Sequence, residues 1–111
     1  MIKGAVVYRT DNGGATWKQV SGLTEETKVY MERHWGTYGW VFGQIRADPK
    51  DENTTFTLGI ELHMSVDGGA TFKTLDGPHA DHHGLWIDPN NPNYLLNVQD
   101  GGLTISYDKG A

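Results

Sequence analysis

Short apolar runs, separated by clusters of glycine, proline, asparagine and aspartate, make up most of this 111-residue chain. The runs 4–10 (GAVVYRT) and 59–65 (GIELHMS) resemble strands and align without a gap. Short runs of this kind next to a glycine-rich turn predict β-strands. Each run is followed by a glycine-rich turn and a second short run, at 16–20 and 71–75. The pattern therefore predicts two β-hairpins.

The hairpin turns share the motif Ser/Thr-x-Asp/Asn-x-Gly-x-Thr-Trp/Phe, at residues 10–17 and 65–72, and a partial third copy occupies 106–111. Glycine supplies the positive φ that a tight turn needs, and Asp or Asn can accept hydrogen bonds from backbone N–H groups inside the turn. We predict that Asn12 caps its turn through its amide oxygen. The residues assigned to this structural element are Thr10, Asn12, Gly14, Thr16, Trp17, Ser65, Asp67, Gly69, Thr71, Phe72, Ser106, Asp108 and Gly110.

A second repeated feature is the dipeptide Asp-Pro, which begins at Asp48 and recurs 40 positions later at Asp88. Strands are predicted before and after each Asp-Pro, at 39–46 and 54–58, and at 84–87 and 94–98. A period near 40 residues with four short strands is typical of a β-propeller blade.

At these residues the chain resembles the Asp-box, or BNR-repeat, β-propellers, as in sialidases, sortilin-type receptors and xyloglucanases. The resemblance covers nearly the whole chain apart from about residues 21–38. It implies an all-β fold of about two four-stranded blades, with a partial blade at 1–20, a full blade at 39–76 and a partial blade at 82–111. In the family the Asp-box is a folding element that usually lies far from the active site.

If the strands of a blade are named A to D from the ring axis outward, the chain reads C-D, A-B-C-D, A-B-C. Such a unit does not close a ring, and its outer strands would present unpaired edges. Missing sequence or other copies of the chain would complete it. We favour a homo-oligomer in which three copies give about six blades, although these strands number one more than two blades need.

Residues 21–38 interrupt the repeat, and we interpret them as a long loop that leads into a strand. Thr24 could cap a helix there. However, Thr27 stands where a capping box has Glu or Gln, so the sequence gives a helix little support.

This loop carries a cluster of aromatic and polar residues. Aromatic faces with polar neighbours suit a carbohydrate or peptide ligand, and long loops on rigid scaffolds often carry function. The alternative is that Trp40 and Phe42 pack inside the blade while the others cover the loop. The ligand-binding residues predicted from this segment are Tyr30, Arg33, His34, Trp35 and Tyr38.

The stretch 79–83 (HADHH) precedes an A strand. In propellers this connection lies near the channel mouth, so we predict His79, Asp81 and His82 as further ligand-binding residues. Together with His83 they are weak candidates for a zinc site, because their spacing matches no standard ligand motif. The alternative is a set of turn residues that bond to the backbone.

No catalytic set can be assigned. The motifs that carry sialidase catalysis are absent, and Glu32, Glu61 and Asp81 qualify as glycosidase carboxylates by position only. The predicted function is a non-catalytic binding or assembly module for carbohydrate or peptide. The alternative is a fragment or subunit of a glycoside hydrolase whose active site forms at the ring centre.

The composition of the chain limits the classes of partner that we expect it to bind. The formal net charge is −5 with only nine Lys and Arg, so we expect no nucleic acid partner. The chain has no cysteine and no apolar run of membrane-spanning length, and residues 1–4 do not begin a signal peptide. We expect no cofactor.

Overall fold

The computed structural model describes residues 6–35 and 43–111, and these ranges contain nine β-strands and one α-helix. The strands are β1 (Tyr8–Arg9), β2 (Lys18–Gln19), β3 (Gln44–Ala47), β4 (Thr55–Leu58), β5 (Leu62–Ser65), β6 (Lys73–Thr74), β7 (His82–Ile87), β8 (Leu95–Gln99) and β9 (Gly102–Ser106), and the helix is α1 (Glu25–Trp35). All strand pairs are antiparallel and form a two-stranded, a four-stranded and a three-stranded sheet, in the orders β1-β2, β3-β4-β5-β6 and β7-β8-β9. The chain is therefore mostly β, as predicted, with one helix added.

The three copies of the turn motif, of which the last follows β9 without a return strand, are held by equivalent hydrogen bonds. In each turn the hydroxyl of the first motif residue accepts a hydrogen bond from the N–H of a glycine four positions later. The donors and acceptors are Gly14 and Thr10 (2.9 Å), Gly69 and Ser65 (2.9 Å), and Gly110 and Ser106 (2.7 Å). The amide oxygen of Asn12 accepts from the N–H of Thr16 at 2.9 Å, so Asn12 does cap its turn.

Each of the last two hairpin turns also docks on the turn that joins the first two strands of its own sheet. The N–H of Gly68 donates to the carbonyl of Asn53 at 2.9 Å, and the N–H of Lys109 donates to the carbonyl of Asn93 at 2.9 Å. These turns therefore share one edge of the sheets. The β4–β5 turn and the connection from β6 to β7 meet at the opposite edge, where Asp81 donates its N–H to the carbonyl of Ile60.

The core lies between the four-stranded and three-stranded sheets. β7 packs against β3 and β4. The buried apolar side chains are Phe56, Leu58, Leu62, Met64, Leu75, Leu85 and Leu95, with Ile87 packed against them.

The sheets meet through a contact that recurs at both interfaces. A Cβ atom on Gly69 would lie 2.9 Å from Val20 Cγ2, and a Cβ atom on Gly110 would lie 2.9 Å from Leu75 Cδ1. Val20 and Leu75 occupy equivalent places after their hairpin turns, and each touches the hairpin glycine of the next sheet. The interface between the two-stranded and four-stranded sheets and the interface between the four-stranded and three-stranded sheets therefore share the same contact.

The interpretation of 21–38 as a loop is wrong over Glu25–Trp35, which is helical. Thr24 and Thr27 form the reciprocal pair of a capping box without a Glu or Gln. The N–H of Thr27 donates to Thr24 Oγ1 at 3.2 Å, and the N–H of Thr24 donates to Thr27 Oγ1 at 3.1 Å. Met31 is buried and anchors the helix beside Gly22. In the described ranges no helix is long and apolar enough to cross a membrane.

Candidate functional site

The candidate site lies where the C-terminal half of α1 meets the start of β5. Tyr30 and His34 are four positions apart in the helix, so their side chains share a face. Glu61 is the last residue of the β4–β5 turn, and His63 lies two positions later in β5, so their side chains meet at the entry to that strand. This is the edge of the sheet opposite the hairpin turns, because Glu61 belongs to the β4–β5 turn.

Hydrogen bonds and close contacts tie the four side chains together. His34 Nδ1 lies 2.6 Å from Glu61 Oε2, and His63 Nε2 lies 3.5 Å from the same oxygen. On its other side, His63 Nδ1 lies 2.8 Å from the hydroxyl of Tyr30. That hydroxyl is also 3.4 Å from Thr74 Oγ1 in β6.

His63 is the most enclosed member of the cluster. Its side chain is 1% exposed, yet within the described structure its Nε2 atom has no hydrogen-bond partner. Burial lowers the pKa of His63 from 6.5 to about 4, outweighing the opposite effect of Glu61, so the ring is neutral at pH 7. Burial likewise raises the pKa of Tyr30, which therefore keeps its proton.

Aromatic rings form the wall behind the polar groups. The ring of Trp35 packs edge-on against His63 at 6.1 Å and against Phe72 at 4.7 Å, measured between centroids. The rings of Tyr30 and His34 lie 4.4 Å apart. The indole Nε1 of Trp35 is buried without a hydrogen-bond partner in the described part of the chain. The cluster thus combines packed aromatic rings on one side with an exposed carboxylate, that of Glu61, on the other.

This arrangement can bind a ligand through polar contacts or bind a cation. Glu61 accepts hydrogen bonds, and the imidazoles and the phenol can donate or accept. One ligand atom from each of His34, Glu61 and His63 lies within 4.8 Å of the other two. The contacts of the Glu61 carboxylate are with imidazoles, whereas a glycosidase pair would place a second carboxyl group across a cleft.

The predicted aromatic cluster is brought together in part. Tyr30, His34 and Trp35 converge on His63, as described above. Arg33 is exposed in the last turn of α1. Tyr38 lies outside the described residues, as do Trp40 and Phe42.

The predicted set in 79–83 does not converge. His82 is buried in β7, where its Nδ1 lies 2.9 Å from Asn97 Oδ1, and burial lowers its pKa. His83 is also in β7, but its exposed ring pairs with Asp100 at 2.8 Å. His79 is exposed and its Nδ1 lies 3.1 Å from the carbonyl of Ala80.

Asp81 has a positive φ of 65° in the connection to β7 and bonds through its backbone, as the turn interpretation of this stretch expected. The metal-capable group in the described residues is instead His34, Glu61 and His63.

Sequence reasoning missed His63 and gave Glu61 a role by position alone. Both residues lie in the run 59–65, which aligns with the first hairpin strand. Because of that alignment, the run was interpreted as a structural strand and not as part of a site. The available signal was the spacing Glu-x-His at the entry to a predicted strand, where side chains two positions apart can meet.

Comparisons with known proteins give a fold and no family. No family model matches the chain, and no curated protein matches it. A solved structure that does match is the crystal structure of an ancestral GH74 enzyme, at 16% sequence identity and a TM-score of 0.68. The alignment covers 99% of this chain and 15% of that chain. At this identity the similarity shows the fold alone, so the chain has the fold of a segment of that enzyme and spans about 15% of its length.

Proposed function

We propose that the chain is about two blades of an Asp-box β-propeller and acts as a non-catalytic module that binds carbohydrate. Three observations support the propeller: the equivalent hairpin turns, the recurring contact between successive sheets, and the fold shared with a GH74 enzyme. Xyloglucanases are among the proteins that the hairpin motif resembles.

The observation that carries the binding function is the cluster of Tyr30, His34, Trp35, Glu61 and His63. It stands on the edge opposite the hairpin turns, where propellers present their ligand sites. Glu61 is exposed and the others except His63 are half-buried, so a ligand can reach the polar atoms while resting on aromatic rings. The cluster is therefore a surface site backed by a packed core.

Carbohydrate suits this cluster better than peptide. A sugar presents hydroxyl groups that both donate and accept, and its C–H faces pack on aromatic rings. The carboxylate of Glu61, the imidazole of His34 and the phenol of Tyr30 offer matching acceptors and donors within one ligand's reach. A peptide bound in extended form would need an exposed strand edge at the site, and β5 lies between β4 and β6.

We further propose that copies of the chain assemble into a ring, with a trimer giving six blades. The outward face of the three-stranded sheet is apolar and exposed. Trp86, Val98, Leu103 and Ile105 lie on that face. The apolar faces between the four-stranded and three-stranded sheets are buried against each other. A further blade would bury the exposed face of the three-stranded sheet in the same way.

The alternative function is a glycoside hydrolase segment whose active site is completed by other blades. The fold shared with a GH74 enzyme is the observation that favours it. On this alternative Glu61 would supply one of two carboxyl groups, and the second would come from outside the cluster.

The test is a titration of the 111-residue chain with β-glucan oligosaccharides, xyloglucan oligosaccharides and peptides. Tryptophan fluorescence and calorimetry measure the binding. We expect saturable oligosaccharide binding that Glu61→Gln and Trp35→Phe weaken. Trp17→Phe serves as the control, because Trp17 is exposed on the opposite edge and should leave affinity unchanged.

Each other outcome rejects a part of the proposal. Binding of peptides alone would replace the ligand class. Release of reducing sugar that disappears in Glu61→Gln would establish the hydrolase instead. A folded chain that binds none of these ligands would overturn the binding function.

A further inference from the structure

We propose that His34, Glu61 and His63 form a binding site for a divalent transition-metal ion, with zinc the favoured occupant. This site does not depend on carbohydrate binding. It brings together ligands that are far apart in the sequence: His34 from α1, Glu61 from the β4–β5 turn and His63 from β5.

The spacing fits a small cation. One ligand atom from each residue lies within 4.8 Å of the other two, and Glu61 Oε2 is 2.6 Å from His34 Nδ1 and 3.5 Å from His63 Nε2. Two nitrogen ligands on a tetrahedral zinc ion are about 3.3 Å apart, given zinc–nitrogen bonds of about 2.0 Å. The His34–Glu61 pair is a hydrogen bond and is closer than this, so metal binding would replace it. The Nδ1 hydrogen of His34 would shift to Nε2, and the two side chains, which are only partly enclosed, would move apart.

The unpartnered nitrogen of His63 is the second, independent observation. When Nδ1 carries the hydrogen, it donates to the hydroxyl of Tyr30, which can donate in turn to Thr74. The lone pair of Nε2 then faces the carboxylate of Glu61 at 3.5 Å, and two acceptors confront each other. In the other tautomer the Nε2 hydrogen still finds no acceptor in bonding geometry. A cation between Nε2 and Glu61 would satisfy both groups.

The surroundings match those of protein metal ligands. Metal-bound histidines usually place the second ring nitrogen in a hydrogen bond that fixes the ring, and Tyr30 occupies that position for His63. Trp35 closes the apolar side of the ring.

Two imidazoles and one carboxylate are a ligand set suited to zinc, and three protein ligands leave a coordination position for water or another ligand. Magnesium and calcium prefer oxygen ligands, so they should bind weakly here.

The test is calorimetric titration of the full 111-residue chain, free of affinity tags and chelators, with zinc chloride. Cobalt(II) absorption provides a second readout, because tetrahedral coordination gives intense visible bands. We expect saturable binding of one ion per chain by the wild type. Glu61→Gln and His63→Ala should abolish that binding, and Tyr30→Phe should weaken it about 10-fold or more, as loss of an outer hydrogen bond does.

The matched controls are His79→Ala and His83→Ala, which remove exposed histidines outside the cluster and should keep wild-type affinity. Far-UV circular dichroism establishes that each variant is folded. Because Glu61 is exposed, Glu61→Gln tests the site even if His63→Ala fails to fold. No binding by the wild type, or unchanged binding in Glu61→Gln, would overturn the proposal. Loss of binding in the His79 and His83 variants alone would move the site to residues 79–83.

Discussion

At the scale of single residues, the strongest constraint is a buried histidine beside a carboxylate. His63 is enclosed by its sheet and by Trp35, and it cannot be protonated without desolvating a charge. Glu61 favours the protonated form, but burial outweighs it and the pKa of His63 falls to about 4. The fold therefore selects the neutral imidazole.

This predicts an acid-sensitive fold. Between pH 6.5 and about 4, His63 binds a proton in the unfolded chain but not in the folded one, so stability rises with pH in this window and is lost as pH falls through it. The full loss is on the order of 3 kcal/mol, at 1.36 kcal/mol per unit of pKa shift. Urea unfolding of metal-free protein at pH 7.5, 6, 5 and 4 measures this loss across the window.

The control for this prediction is His63→Phe, which keeps an aromatic ring but cannot titrate. Its stability should fall less between pH 7.5 and pH 5 than that of the wild type. Some acid sensitivity should remain, because burial also lowers the pKa of His82. Equal pH dependence in the two proteins would contradict the assignment to His63.

At the scale of elements, the repeated hairpin explains why the strands could be predicted and the helix could not. The strand positions follow from a motif that occurs twice in full, with glycines and capping oxygens that the structure uses as expected. The helix α1 occurs once, and Thr27 stands in its first turn where a capping box has Glu or Gln. Two threonine hydroxyls perform the reciprocal capping there, which a search for the usual residues does not find.

The candidate site was only partly predictable because half of it lies on this unrepeated helix. Tyr30 and His34 meet because they lie one helical turn apart, which a loop interpretation conceals. His63 faces them because β5 is an inner strand of its sheet, and pairing with β6 brings Thr74 beside it. Such contacts depend on how elements pack, and the sequence repeats carry no information about an unrepeated helix.

The hairpin glycines give a second prediction. Gly14 and Gly69 are equivalent and have nearly the same φ, 94° and 96°, so alanine strains the backbone equally at both. A Cβ atom at Gly69 would also meet Val20 at 2.9 Å, whereas at Gly14 the nearest atom is 3.8 Å away. Gly69→Ala should therefore destabilise the chain by about 1–3 kcal/mol more than Gly14→Ala.

Chemical denaturation of the two variants measures this difference, and Gly14→Ala is the internal control for backbone strain. A double variant with Val20→Ala should recover part of the stability lost in Gly69→Ala, because it removes the opposing methyl groups. Equal destabilisation by the two glycine variants would mean that the sheet-to-sheet contact is not close.

At the scale of the whole molecule, exposed apolar faces at both ends of the series of sheets require explanation. Tyr8 in the two-stranded sheet is exposed, as are Val6 and Trp17 beside it, and Leu103 and Ile105 are exposed in the three-stranded sheet. Between the four-stranded and three-stranded sheets, the facing apolar side chains are buried. A stack of sheets that repeats one contact ends either by capping or by closing on itself, and closure hides both faces at once.

Closure by copies of the chain predicts a definite mass. A trimer of 12.3 kDa chains would have a mass of about 37 kDa in native mass spectrometry or light scattering. Leu103→Lys places a charge on the exposed face of β9 and should dissociate the ring toward 12.3 kDa chains. Val66→Lys adds the same charge at an exposed position in the turn between β5 and β6 of the middle sheet, and should leave the mass unchanged. A wild-type mass of 12.3 kDa at micromolar concentration would contradict self-assembly, and the apolar faces would then await blades from other sequence.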